Sequence, residues 1–322
     1  MTSNFDFEHM NLIPKKCIVP SRSECDTRTS LGKHTFCLPV IPANMECVID
    51  EDVAEHLAAA GYFYILHRFG VDTVAFAKRM KARNLIVSIS IGVNGEAYAL
   101  MNRLRVLDMM PDYVTIDIAH GHAILMEEMI QYINSLPSHM RPFVIAGNIS
   151  TADAVNDLES WGADAIKVGI GPGSACTTYT ATGFGSRGIQ GSTVAICAKA
   201  AKRAVIIADG GIKEPGDIAK AIALGAKMVM IGGMFSGLVD SPGAIISADG
   251  RRFKEFWGSA SAAQGKKNRI EGTKKLIPLK ERTYLEEMTY LQECLQSAIS
   301  YAGGNKLDAL LDVEYSIKHT RV

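Results

Sequence analysis

One cysteine of this chain sits where a thiol can do chemistry. The run Gly169-Ile170-Gly171-Pro172-Gly173-Ser174-Ala175-Cys176-Thr177-Thr178 places Cys176 among glycines, with two hydroxyls beside it. Glycines expose backbone N–H groups, and polar surroundings of this kind can lower the pKa of a thiol and turn it into a nucleophile. Most free cysteines are small buried hydrophobes instead, which is the expectation for Cys17, Cys25, Cys37, Cys47, Cys197 and Cys294. Carbonyls of the same tight turn, at Gly171, Gly173 and Cys176, can also ligate a monovalent cation such as K⁺.

Two further glycine pairs follow apolar runs. Asp209-Gly210-Gly211 and Gly232-Gly233 each offer backbone N–H groups for a phosphate. Either pair alone could be a tight strand-to-helix turn; two on successive strands favour a phosphate cradle. Asp209 is either a turn-capping aspartate or a carboxylate that accepts from two vicinal ribose hydroxyls. The second reading points to a nucleotide.

Elements that could position these groups are legible from Leu38 onward, where short apolar runs alternate with amphipathic segments, the pattern of a parallel sheet with covering helices. Eight strands are expected: Leu38–Ala43, Tyr62–Leu66, Ile86–Ile91, Tyr113–Ile118, Phe143–Ala146, Ala165–Val168, Val205–Ala208 and Met228–Ile231. Between them, Glu51–Ala60, Ala97–Met109, Ile124–Leu136, Ala152–Trp161, Thr193–Lys202 and Pro215–Leu224 carry helical spacing. Gly61, Gly162 and Gly225 stand where left-handed caps would end three of these helices. The expected fold is therefore α/β, a single (β/α)₈ TIM barrel over residues 1–322. Two long segments, Gly169–Gly191 and Ser236–Pro278, are read as loops at the C-terminal mouth, the second a flap after strand eight, and a helix over Tyr284–Ser300 closes the chain.

Composition narrows the function. The chain has 322 residues, 48% of them hydrophobic, and 34 basic against 34 acidic side chains, so no global field draws it to nucleic acid or to an anionic membrane. No apolar stretch approaches membrane-spanning length, and Met1–Met10 lacks the basic and apolar regions of a signal peptide. Seven scattered cysteines with no C-x-x-C pair suit a reducing compartment, so a cytoplasmic location is expected.

The run Gly169–Thr178, with Thr182-Gly183, Asp209-Gly210-Gly211 and Gly232-Gly233, resembles the IMP dehydrogenase and GMP reductase superfamily, and the likeness spans nearly the whole chain. Ser21-Arg22-Ser23-Glu24-Cys25-Asp26, Pro42-Ala43-Asn44-Met45, the segment 254–261 and Ser300-Tyr301-Ala302-Gly303-Gly304 are similar to the bacterial branch of the reductases. The regulatory insertion usual in the dehydrogenases is not present after the second strand, since Tyr62–Leu66 passes through His67-Arg68-Phe69 directly into a helix. The late segment ends in Glu271-Gly272 and has no Arg-Tyr pair of the kind that activates water in a dehydrogenase.

The resemblance implies reductive deamination: GMP and NADPH give IMP, ammonia and NADP⁺. It makes Cys176 the nucleophile that forms a thioimidate at C2, with Thr178 and Glu271 delivering the proton to the departing amine. It places Ser174, Asp209, Gly210, Gly211, Gly232, Gly233, Gly258 and Ser259 on GMP; where the animal enzymes have an arginine Asn268 stands, with Arg269 one place later, and either Asn268 or Arg269 takes the flap contact. It places Asp117, Ile118, Ala119, Gly171 and Tyr301, Ala302, Gly303 and Gly304 on NADPH, and Arg68 near the nicotinamide. Ser21 and Arg22 match positions that reach cofactor held by a neighbouring subunit, as in a homotetramer. An IMP dehydrogenase without its insertion and a non-catalytic purine-nucleotide sensor are the alternatives.

Overall fold

The computed structural model describes residues 4–258 and 273–318. The N-terminal strand β1 (Met10–Leu12) pairs antiparallel with the last strand, β14 (Tyr315–Ile317), which ties the two ends of the chain together. A short hairpin, β2 (Thr29–Leu31) and β3 (His34–Phe36), plugs the floor of the sheet: Tyr113 donates to the Leu31 carbonyl at 2.7 Å, and Phe36 packs on Phe63.

Seven parallel strands make the main sheet. They are β4 (Val40–Pro42), β5 (Ser88–Ile91), β6 (Tyr113–Asp117), β7 (Phe143–Ile149), β8 (Ala165–Val168), β9 (Val205–Asp209) and β10 (Met228–Ile231), in the order β4-β10-β9-β8-β7-β6-β5. The eighth expected strand, Tyr62–Leu66, forms no ladder and meets β5 through one parallel bridge, Leu66 to Ile89. The reason is local. Tyr64 turns its hydroxyl onto β5, donating to the Ile86 carbonyl at 2.7 Å and accepting from the Ser88 N–H at 3.2 Å, so a side chain occupies backbone groups that a ladder would use. The segment still completes the barrel by packing, because Phe63 and Ile65 share a buried cluster with Ile41, Tyr113, Ile145, Ala165, Ile207 and Met228. These alternate residues of neighbouring strands are the filled interior of a (β/α)₈ barrel.

Helices α1 (Glu51–Ala59), α2 (Thr73–Ala82), α3 (Gly95–Val106), α4 (Ile124–Asn134), α5 (Ala152–Trp161), α6 (Thr178–Thr182), α7 (Gln190–Ala200), α8 (Pro215–Ala223), α9 (Gly233–Ser236) and α10 (Tyr284–Tyr301) follow in chain order. Side chains start several of them where the sequence offers an Asp, Asn or Thr: Asp50 accepts from Val53 N–H at 2.9 Å, and Thr151 from Ala154 N–H at 3.2 Å. Gly162 ends α5 with φ of +105°, as its position suggests.

The two segments read as loops are more ordered than expected. Within Gly169–Gly191 the chain coils into α6 directly after the cysteine and enters α7 at Gln190. After α9 a three-stranded antiparallel sheet stands where a loop is expected: β11 (Ile245–Ala248), β12 (Arg251–Trp257) and β13 (Lys274–Pro278). Asp249 and Gly250, with φ of +49° and +71°, form the two-residue turn between β11 and β12. Residues between β12 and β13 from 259 to 272 lie outside the described part.

Candidate active site

The C-terminal ends of the barrel strands surround an open cavity of about 680 Å³. Its wall on one side is the cysteine loop after β8. There the Cys176 N–H donates to the Gly173 carbonyl at 3.0 Å, closing a tight turn, and the Cys176 thiol lies 3.2 Å from the hydroxyl of Thr178, the first residue of α6. Thr178 is itself held, since Thr182 donates to its carbonyl at 2.7 Å. The loop is fixed at both ends. Ser186 N–H reaches the Ile170 carbonyl at 2.7 Å, while Thr273 N–H reaches the Ala175 carbonyl at 3.0 Å and Lys275 bonds the Ser174 carbonyl. The returning strand β13 is thus clasped to the cysteine loop.

Glycine is required where this loop crosses β9. A Cβ on Gly169, which has φ of +150°, would lie 1.9 Å from the Asp209 carbonyl, so backbone packs on backbone there. The cradle continues through Gly210, whose Cβ position is 3.1 Å from Gly173 N, and through Gly233, whose Cβ position is 4.0 Å from the Ser174 hydroxyl. Gly232 abuts Phe256 of β12, which brings the three-stranded sheet to the same corner. Cys47 secures that strand: its thiol donates to the Trp257 carbonyl at 3.2 Å and accepts from the Trp257 N–H at 3.3 Å.

The cavity floor is charged. Lys167 reaches up from β8 to Asp117 Oδ1 at 2.9 Å and to Asp209 Oδ2 at 2.8 Å. Asn44 donates to Asp117 Oδ2 at 3.1 Å, and Asn148 donates to Asp209 Oδ2 at 2.8 Å and to the Gly169 carbonyl at 2.7 Å. Arg68 stacks over Phe69 and donates to the Asp117 carbonyl at 3.4 Å. Burial pushes the Asp117 carboxyl up, but Lys167, Arg68 and Asn44 outweigh it and hold it below the usual carboxylate range. Lys167, Asn148 and Asn44 are functional candidates that sequence reasoning passed over. A lysine inside the apolar strand Ala165-Ile166-Lys167-Val168 was the available signal for the first of them.

Comparison with known proteins fits this site. Residues 4–321 match the IMP dehydrogenase / GMP reductase domain. A Bacillus licheniformis protein named GMP reductase is 52% identical over 320 residues, covering 98% of this chain and 97% of its own. The GMP reductase of Clostridium acetobutylicum is 52% identical, covering 98% and 96%, and that of Bacillus subtilis 52%, covering 98% and 97%. This chain belongs to the IMP dehydrogenase / GMP reductase family.

Most residues that the family likeness singles out line the one cavity. Cys176, Thr178, Ser174, Asp209, Gly210, Gly211, Gly232, Gly233 and Gly258 do so, and so do Arg68, Asp117, Ile118, Ala119, Gly171 and Gly173. Ser259, Asn268, Arg269 and Glu271 lie outside the described residues. Ser21, Arg22 and the turn Tyr301–Gly304 do not line it. The short turn Arg22–Glu24 packs on α10, where Gln296 reaches the carbonyls of Ser23 and Cys25 at 3.3 and 3.2 Å, and Lys15 N–H reaches the Tyr301 carbonyl at 2.8 Å. Tyr301 is 66% exposed. Among the described residues no group of three His, Cys, Asp or Glu side chains converges as a metal would need, and no helix is long and apolar enough to cross a membrane.

The other thiols divide by burial. Cys25, Cys47 and Cys197 are buried and Cys37 and Cys294 half-buried, whereas Cys17 is exposed, contrary to the expectation of a buried hydrophobe. Burial pushes the Cys47 and Cys197 thiols up to about 12. Iodoacetamide near neutral pH is therefore expected to alkylate Cys176 well before Cys47 or Cys197, because only thiolate reacts. GMP should protect Cys176. Peptide mass spectrometry that found Cys47 or Cys197 modified first would show that the reactive thiol has been misassigned.

Proposed function

We propose that this enzyme reduces GMP to IMP with NADPH, releasing ammonia through a covalent adduct on Cys176. The observation that carries the reading is the Cys176 thiol 3.2 Å from the Thr178 hydroxyl, at the junction of a glycine cradle and a carboxylate floor in one cavity. The names of the bacterial relatives, each GMP reductase over nearly its full length, favour reduction over dehydrogenation.

The chemistry follows from the residues. Gly210, Gly211, Gly232, Gly233 and Ser174 take the phosphate, and Asp209 accepts from the ribose hydroxyls, its Lys167 and Asn148 bonds both falling on Oδ2. Cys176 adds to C2 of guanine, and the amine leaves once a proton reaches it through Thr178 from Glu271. Loss of ammonia leaves a thioimidate, which splits one hard substitution into two easier steps. NADPH supplies the hydride that reaches C2, after which the C–S bond breaks and the thiolate is restored.

Residues on the other side of the cavity suit the cofactor. Asn148 Oδ1 is buried with no hydrogen-bond partner, and a ligand amide or hydroxyl would satisfy it. Asp117, Ile118, Ala119, Gly171 and Arg68 complete that side. Ser21 and Arg22, which do not line the cavity of their own chain, serve the cofactor of an adjoining copy in a homotetramer, and Tyr301–Gly304 also meet NADPH. The carbonyls of Gly171, Gly173 and Cys176 would hold K⁺, which would stiffen the cysteine turn. A cytoplasmic location belongs to the same reading.

Loss of NADPH absorbance on adding GMP, with none on adding IMP, tests the reaction; no GMP-dependent oxidation would refute it. A second outcome concerns the cofactor. Arg22→Ala should raise KM for NADPH about ten- to a hundredfold more than for NADH, the worth of a charge-assisted bidentate contact to the 2′-phosphate. Equal effects on both cofactors would remove Arg22 from the phosphate.

A further inference from the structure

The charged cluster on the cavity floor is larger than the reaction needs. Asp209 suffices for ribose hydroxyls and Asp117 for the cofactor side, and neither task calls for an ammonium buried between them. Yet Lys167 is 2% exposed and bonds both carboxylates, at 2.9 and 2.8 Å. The surrounding elements are shaped to hold it. Gly147 on β7 leaves room for its stem, since a Cβ there would lie 2.6 Å from Lys167 Cβ. β10 presents Met230 Sδ at 3.8 Å, and the amides of Asn44 and Asn148 take one further carboxylate bond each. Arg68 also faces the cluster, through the Asp117 carbonyl, and Lys213 and Lys280 line the same cavity.

A buried ion triad is a poor way to hold a barrel together, because apolar side chains of similar volume are often as stabilising. We propose that Lys167 is a positioning residue that couples the two halves of the site: by bonding both carboxylates it holds Asp209 and Asp117 in fixed register, so that nucleotide and cofactor meet aligned acceptors. This rests on the GMP and NADPH reading above. Two carboxylates sharing one pocket cannot both be charged cheaply. The ammonium between them offsets that cost and ties Asp117 Oδ1 to Asp209 Oδ2. Without it the two carboxylates face each other with no cation between them, and Asp209 is no longer held where the ribose needs an acceptor. Burial alone would strip the proton from Lys167; the two carboxylates outweigh burial and hold it charged.

Calorimetric titration of GMP, without cofactor, into Lys167→Met and into Lys167→Met/Asp117→Asn tests the coupling. In Lys167→Met the Kd for GMP should rise at least about tenfold. The paired variant, which removes one carboxylate along with the ammonium, should bind within about fivefold of native. A purely structural lysine would lower the melting temperature of both variants and give no rescue. Native affinity in Lys167→Met, or a folded pair that binds poorly, overturns the proposal. If the single variant does not fold, the pair decides by the same two outcomes, and a pair that also fails to fold makes Lys167 structural. Native protein that binds no GMP would instead sink the proposed function, and this coupling with it.

Discussion

Alanine at Cys176 is expected to leave a folded protein that binds GMP and turns almost none of it over. In the proposed reading GMP is held by Ser174, Asp209 and four glycines of other loops, all of which line the cavity, so removing one half-buried thiol takes nothing from that cradle. Nor does the loop depend on that side chain, since the Cys176 N–H to Gly173 bond and the Ala175 carbonyl bond to Thr273 are backbone interactions. Stability should change by no more than about 1 kcal/mol. Turnover should fall by at least about 10⁴-fold, the scale on which covalent enzymes lose rate when the nucleophile is deleted. Steady-state NADPH oxidation and calorimetric GMP binding read the two quantities separately. Substantial turnover in Cys176→Ala would end the covalent mechanism. Cys294→Ala and Cys197→Ala should be mild by comparison, the first on α10 and the second packed in the core beside β9.

What the sequence disclosed of this site and what it hid have separate physical causes. Glycines at strand ends are legible because a backbone that must turn and approach another backbone tolerates nothing else, as the 1.9 Å clash at Gly169 illustrates. The barrel was legible from the alternation of apolar runs and amphipathic segments. Its second strand was not drawn correctly, because strand patterning cannot foresee that Tyr64 would bond the backbone of β5 with its own hydroxyl. The flap sheet was hidden by its polarity: β12 buries only Lys254 and Phe256 fully, so its alternation is masked by charge, although Asp249-Gly250 signalled a hairpin. Lys167 was overlooked because Ala165–Val168 reads as an apolar strand. Counted at a period of two, Ala165 and Lys167 share the barrel interior, and a lysine there must meet carboxylates at the top of the barrel.

In the proposed reaction the proton needed by the departing amine separates the two halves, and Glu271→Gln should expose that separation. Deamination requires an acid beside C2; hydride transfer to or from the covalent intermediate does not. Glutamine keeps the size and one acceptor of Glu271 but removes the acid. Glu271→Gln should therefore lower ammonia release from GMP by about 10²–10⁴-fold, the usual contribution of general acid catalysis. The reverse hydride step, followed as NADPH formation when enzyme is mixed with IMP and NADP⁺, should be far less affected. Thr178→Val tests the relay from the other end. Its hydroxyl lies 3.2 Å from the thiol at the start of α6, and the valine side chain is nearly isosteric, so the helix should form while the proton path is cut. The two variants should then share one signature, a slow amine step beside a near-native hydride step. Parallel loss of both steps in Glu271→Gln would instead assign that carboxylate to holding the flap over the cavity, and would leave Thr178 to take its proton from another donor.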